Sequence, residues 1–134
     1  MDKYTNRLIE EWKQHGKIII AFDYDDTVSP WRLNTEDDCK KVINILIDAQ
    51  HVGAHLVCFT ACKEDRHPEI KRYLSERGLQ TDTINQNPIE LPYGNQNKVY
   101  ANIFIDDRAG LDTALEMLST AMYPHESIQI WPTS

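Results

Sequence analysis

The chain reads as an α/β protein, with a mainly parallel sheet of about five strands and helices on both faces in a three-layer arrangement. Three observations lead there. The apolar runs Ile18 to Phe22 and Ala54 to Phe59 lack strict polar alternation, as do strands buried on both faces. Stretches with apolar residues at helical spacing separate these runs, which is the order of a parallel sheet with crossover helices. A length of 134 residues suits one core and one domain spanning 1–134, and no linker or repeat divides it.

Taken in order, Tyr4, Leu8, Ile9 and Trp12 predict an amphipathic helix over Asp2 to His15, ended by Gly16. The first strand follows and runs into Asp23, Asp25 and Asp26. Val28 to Leu33 is an irregular flap containing Pro30. Thr35 with Asp38 three residues on resembles a capping box, with Asp in place of Glu. Val42, Ile43, Leu46 and Ile47 give that helix its buried face, and Gly53 stops it. The second strand, Ala54 to Phe59, delivers Thr60. Asp65 and Pro68 open a helix with Ile70, Tyr73 and Leu74 inward and Gly78 at its end. Thr83 to Asn85 is a weak third strand, and Gln86 to Asn97 a polar loop. Asn102 to Ile105 is the fourth strand and delivers Asp106 and Asp107. Leu111, Leu115 and Leu118 mark the last helix, and Ile128 to Ile130 is read as a fifth strand.

Composition narrows the class. With 41% hydrophobic and 26% charged residues the chain has the balance of a soluble globular protein. A net charge of -7 argues against a broad basic surface for phosphate backbones, so a nucleic-acid end is not the favoured partner. Met1 to His15 is too polar for a signal peptide and no apolar run has the length of a membrane span, so the expected setting is cytoplasmic, with no membrane partner. Cys39, Cys58 and Cys62 are sparse, odd in number and lack a C-x-x-C pair, so they read as reduced thiols.

In an open parallel sheet, residues just past the carboxyl ends of the strands converge on one crevice. Here these are Asp23, Asp25, Thr60, Asp106 and Asp107. Four carboxylates that close cannot all ionise without a counter-cation. The donors are hard oxygens, which favours magnesium over zinc. His51 and His55 are four apart, but Gly53 interrupts the helix between them, and they read as surface or boundary residues.

The set F-D-Y-D-D-T after an apolar strand, Thr60 closing L-V-C-F-T, Lys98, and Asp106-Asp107 closing I-F-I-D-D resembles the four motifs of the haloacid dehalogenase-like superfamily of phosphatases and phosphotransferases. The resemblance covers nearly the whole chain in motif order, through few matching residues. It implies a Rossmann-like hydrolase domain and a magnesium-dependent phosphatase. Asp23 would be the nucleophile, forming an aspartyl-phosphate. Asp25 would protonate the leaving oxygen and then activate water, which calls for a raised pKa. Metal binding would fall to Asp23, the main-chain carbonyl of Asp25, and the acids Asp106 and Asp107, with Asp107 the first choice for the direct ligand. Thr60 would hydrogen-bond a phosphoryl oxygen and Lys98 would supply positive charge, with Lys63 as its rival. The acid-base residue Asp25 favours phosphatase over dehalogenase chemistry.

Family members often carry a cap domain between motifs. Only about 37 residues separate Asp23 from Thr60, already filled by the flap and one helix, so the chain resembles the capless members. Their open sites accept large substrates or borrow closure from a neighbouring subunit of a homo-oligomer. A nucleotide, a polynucleotide end and a phosphoprotein all fit the expected phosphorylated substrate. The I-D-D-R run ending in Arg108 resembles the fourth motif of polynucleotide 3'-phosphatases. Trp31 is expected to anchor the flap to the core, the alternative being a platform for a base or sugar. Arg32 and Arg66 read as solvated, and Cys62 as a small filler. The competing readings are a receiver-like switch, disfavoured by motif order, and a non-catalytic phosphate- or metal-binding module of the same fold.

Overall fold

The computed structural model describes residues 2–86 and 100–130. Helix α1 (Lys3–His15) starts where the Asp2 carboxylate accepts a hydrogen bond from Thr5 N at 2.8 Å, and it stops at Gly16, whose φ of 72° is left-handed. Its Leu8 and Trp12 are buried, and the Trp12 indole N–H donates to the Val52 carbonyl at 3.3 Å. That contact ties α1 to the end of α2 (Glu36–His51). Gly53 follows at a place where only glycine fits, because a Cβ there would lie 2.7 Å from the Gly16 carbonyl oxygen. The capping box forms as read: Asp38 N donates to Thr35 Oγ1 at 3.2 Å and Thr35 N donates to Asp38 Oδ2 at 2.9 Å.

Strands β1 (Ile18–Asp23), β2 (Ala54–Phe59), β3 (Thr83–Ile84) and β4 (Ile103–Ile105) form one parallel sheet in the order β3-β2-β1-β4. Asp23 lies opposite Phe59 of β2, and Phe22 lies opposite Ile105 of β4, so the acidic ends of β1 and β4 are neighbours. A 3-10 turn at Glu64–Arg66 precedes α3 (His67–Glu76), which carries Pro68 in its first turn as expected. It closes on Gly78, with Gly78 N donating to Ser75 O and Leu79 N to Leu74 O, both at 3.0 Å, the paired bonds of a Schellman stop.

Alternation along the strands sends Ile18, Ile20, Phe22, Leu56, Cys58, Ile103 and Ile105 to one face. There they join Leu8 and Trp12 of α1, Leu46 of α2, Leu74 of α3 and Leu118 of the final helix, α4 (Leu111–Ile130), in one core. Complete burial of each such side chain is worth about 1.5–3 kcal/mol. The opposite face carries Ile19, Ala21 and Val57, packed by Phe59, Tyr100 and Ala101. Among the described residues, the expectation of helices on both faces is therefore met on one face.

Two further expectations change. The described sheet has four strands rather than about five, because Ile128 to Ile130 belongs to α4. Buried Ala121 and Met122 carry the apolar stripe one turn past Leu118, and the short run I-Q-I at 128–130 cannot declare strand over helix by periodicity alone. Among the described residues, no helix is long and apolar enough to cross a membrane.

Candidate functional site

The carboxyl ends of β1, β2 and β4 bring Asp23, Thr60, Asp106 and Asp107 to one edge of the sheet. Asp23, Asp106 and Asp107 each offer a carboxylate oxygen, and these oxygens lie within 4.8 Å of one another. The three residues are half-buried. Burial pushes the Asp23 carboxyl up, the Asp106 charge adds to this, and the Asp107 carboxyl shares a hydrogen bond with it. Against the lowering effect of the Tyr24 backbone N–H, the balance is a pKa of about 7. A cluster of that kind is a ready cation site with all-oxygen donors. The carboxylate of Asp25 stands outside this group. Asp25 is half-buried and bridges to Ser29 through the backbone.

Local turns hold the acids. Arg108 N donates to Asp106 Oδ1 at 2.9 Å and Ala109 N donates to the Asp106 carbonyl at 3.0 Å. Thr27, fully buried, reaches across from the first loop to the second: its hydroxyl accepts from Asp107 N at 3.1 Å and donates to Asp107 Oδ1 at 3.4 Å. Thr60 is half-buried at the end of β2, and its hydroxyl accepts from Cys62 N at 3.1 Å. Asn85, at a left-handed φ of 57°, clamps the Thr60 backbone from both sides, accepting from Thr60 N and donating to Thr60 O at 2.9 Å each. Lys63 is exposed at the head of the 3-10 turn. Lys98 lies outside the described residues.

The flap is held in an unanticipated way. Asp26 is buried, with a φ of 60°, and its carboxylate accepts from the backbone N–H groups of Trp31, Arg32, Leu33 and Asn34 at 3.0 to 3.2 Å. Burial alone would raise its pKa; the four N–H donors outweigh burial and leave it lowered. The Asn34 amide also donates to the Asp26 carbonyl at 2.6 Å. Trp31 is 56% exposed, so the expectation that its indole anchors the flap to the core is corrected: the anchor is the Asp26 carboxylate. The Arg32 guanidinium lies 4.0 Å over the Trp31 ring.

Asp26, Thr27 and Asn85 are thus the positioning residues that sequence reasoning did not assign. The tolerance of Asp and Asn for left-handed backbone was an available hint for two of them. Their partners are mostly backbone groups, which leave no mark in a sequence.

Sheet and cluster together define the molecule as a parallel α/β protein with a three-carboxylate candidate metal site at its strand ends. No protein-family model matches the chain, and no curated protein sequence matches it. Its fold is similar to the solved structure of a conserved protein from Bacteroides thetaiotaomicron, with a TM-score of 0.62 and 24% identity, covering 78% of this chain and 91% of that one. At that identity the likeness is one of fold.

Proposed function

We propose that this protein is a magnesium-dependent phosphatase of the haloacid dehalogenase-like kind, hydrolysing a phosphomonoester through an aspartyl-phosphate. The observation that carries the reading is the cluster of Asp23, Asp106 and Asp107 at the strand ends, beside a hydroxyl-bearing loop at Thr60. The donor set fits magnesium: three carboxylate oxygens within 4.8 Å, one of them with its proton affinity lifted by burial and by the charge of its neighbours. Asp23, Asp106 and Asp107 would hold the ion together with the Asp25 carbonyl. Bound there, magnesium would offset negative charge on the phosphoryl oxygens.

In the proposed reaction an Asp23 oxygen attacks phosphorus while the bond to the leaving oxygen breaks, and Asp25 gives that oxygen its proton. Water then attacks the aspartyl-phosphate, Asp25 takes the water's proton, and the Asp23 carboxylate is released with inorganic phosphate. Thr60 donates to a phosphoryl oxygen in this scheme. Lys98 supplies positive charge, and comparison of Lys98→Ala with Lys63→Ala separates it from its rival.

The test is hydrolysis of an aryl phosphate with and without magnesium, in the parent, Asp23→Asn and Asp25→Asn. Magnesium-dependent turnover that falls at least about a thousandfold in both variants is expected. Magnesium binding without turnover on any phosphomonoester would instead favour the non-catalytic module.

A further inference from the structure

Trp31 sits on the surface at 56% exposure and Leu33 at 76%, on a loop whose backbone is among the most tightly held in the molecule. Single exposed apolar side chains are ordinary, but these two stand within three residues of each other on one anchored loop, beside a cleft. One face of the Trp31 ring is occupied by the Arg32 guanidinium at 4.0 Å, which stiffens the indole and leaves its exposed area to the other face and the edge. Leu33 and Asn34 continue from this pair into a cleft of about 370 Å³ whose wall includes Asp107, Arg108 and Leu111. The cleft therefore joins the flap to Asp107, one member of the carboxylate cluster, and it has the size of a small-molecule site.

We infer that the stacked Trp31 and Arg32 pair is a platform for the base of a nucleoside monophosphate whose phosphate lies at the carboxylate cluster. The inference rests on the proposed phosphatase reading for the phosphate end alone. A nucleobase presents a flat π-face to Trp31, and such base-on-aromatic stacking needs no base-specific hydrogen bond. A free nucleotide is favoured over a polynucleotide end because the net charge of -7 opposes the approach of a long polyanion. Asp26 fixes the platform through the backbone, so the Trp31 side chain can be exchanged without dismantling the loop.

The test measures binding separately from turnover. In the Asp25→Asn protein with magnesium, which keeps all three carboxylates of the cluster, adenosine 5'-monophosphate and ribose 5-phosphate are titrated by calorimetry, with Trp31→Ala and Trp31→Phe added in that background. The nucleotide is expected to bind about tenfold or more tightly than the sugar phosphate, with the advantage lost in Trp31→Ala and largely kept in Trp31→Phe. In the otherwise unaltered enzyme, Trp31→Ala is expected to raise KM for the nucleotide about tenfold, and to raise KM for ribose 5-phosphate much less. Base-dependent binding in a protein that hydrolyses no phosphomonoester would sink the phosphatase reading and leave the platform standing. Equal affinity for nucleotide and sugar phosphate would overturn the platform. So would tighter, Trp31-dependent binding of a 5'-phosphorylated oligonucleotide or a phosphotyrosyl peptide.

Discussion

At Asp26 four consecutive backbone N–H groups converge on one carboxylate, whereas at Asp23, three residues earlier, the neighbouring charged groups are two more carboxylates. Residue type and chain neighbourhood are shared, and the pKa values move in opposite directions: lowered at Asp26, raised to about 7 at Asp23. Asp26 has had its charge met by the protein, so it serves the fold by holding the flap. Asp23 has not: half-buried and crowded by its own kind, it keeps a proton up to a pH of about 7, or gives it up to a bound cation. The difference separates an acid satisfied by the fold from one left open to a ligand more sharply than the shared D-Y-D-D run does.

Removing the satisfied acid is expected to have the largest structural effect. Asp26→Asn keeps a residue that accepts left-handed backbone but offers a single carbonyl oxygen to four donors. The melting temperature should fall further than in Asp23→Asn or Thr27→Val, and the loop 28–34 should become open to proteolysis. If the phosphatase reading holds, turnover should also fall roughly 10- to 100-fold as the flap loses its place. Because the Asp26 pKa is lowered on folding, its contribution is complete above the ordinary value of 3.8 and is lost as the pH falls through that range. Unchanged melting in Asp26→Asn would show that the flap is held by other means and would break the comparison.

The crowded acid should give the opposite pH dependence. Between 3.8 and about 7 the folded metal-free protein holds a proton at Asp23 that the unfolded chain has released, so stability falls as pH rises through that window. At pH 8 without metal, Asp23→Asn is expected to be more stable than the parent by about 1–2 kcal/mol, a figure already discounted for the solvent that reaches a half-buried carboxyl. Magnesium at about a hundred times its Kd should return about 2.7 kcal/mol to the parent and much less to the variant. Thermal melts at pH 5 and pH 8, with magnesium and with a chelator, measure both effects. Equal melting temperatures across the four conditions would mean that Asp23 is not crowded in solution.

What the sequence reveals and what it hides follow the same division. The Thr35–Asp38 box and the stops at Gly16, Gly53 and Gly78 were legible because each depends on residues adjacent in the chain. The meeting of Asp23 with Asp106 and Asp107 was legible because a parallel sheet gathers its strand ends at one edge. The flap anchor was not, since every donor to the Asp26 carboxylate from residues 31–34 is a backbone N–H that any residue but proline would supply. The Asn85 clamp on the Thr60 backbone was hidden for the same reason, 25 residues away in sequence. Ile128 to Ile130 misled because two isoleucines flanking Gln129 suit the end of a long helix as well as a strand.

Thr27 links the two sides of this comparison, and its effect should be the smallest of the three. Its hydroxyl both accepts from Asp107 N and donates to the Asp107 carboxylate, so it belongs to the satisfied network while orienting a member of the crowded one. Thr27→Val matches the shape and removes the hydroxyl of a fully buried residue, leaving the Asp107 N–H without that acceptor at a partly buried position. A loss of about 1–2 kcal/mol in stability is expected. Magnesium affinity should weaken about tenfold, the usual consequence of releasing a residue that orients a metal ligand. Thr27→Ser keeps the hydroxyl and should restore the affinity while retaining a small packing loss. Isothermal titration with magnesium reads the difference: if Thr27→Val binds the ion as the parent does, Asp107 does not depend on Thr27 for its orientation, and the two networks are independent.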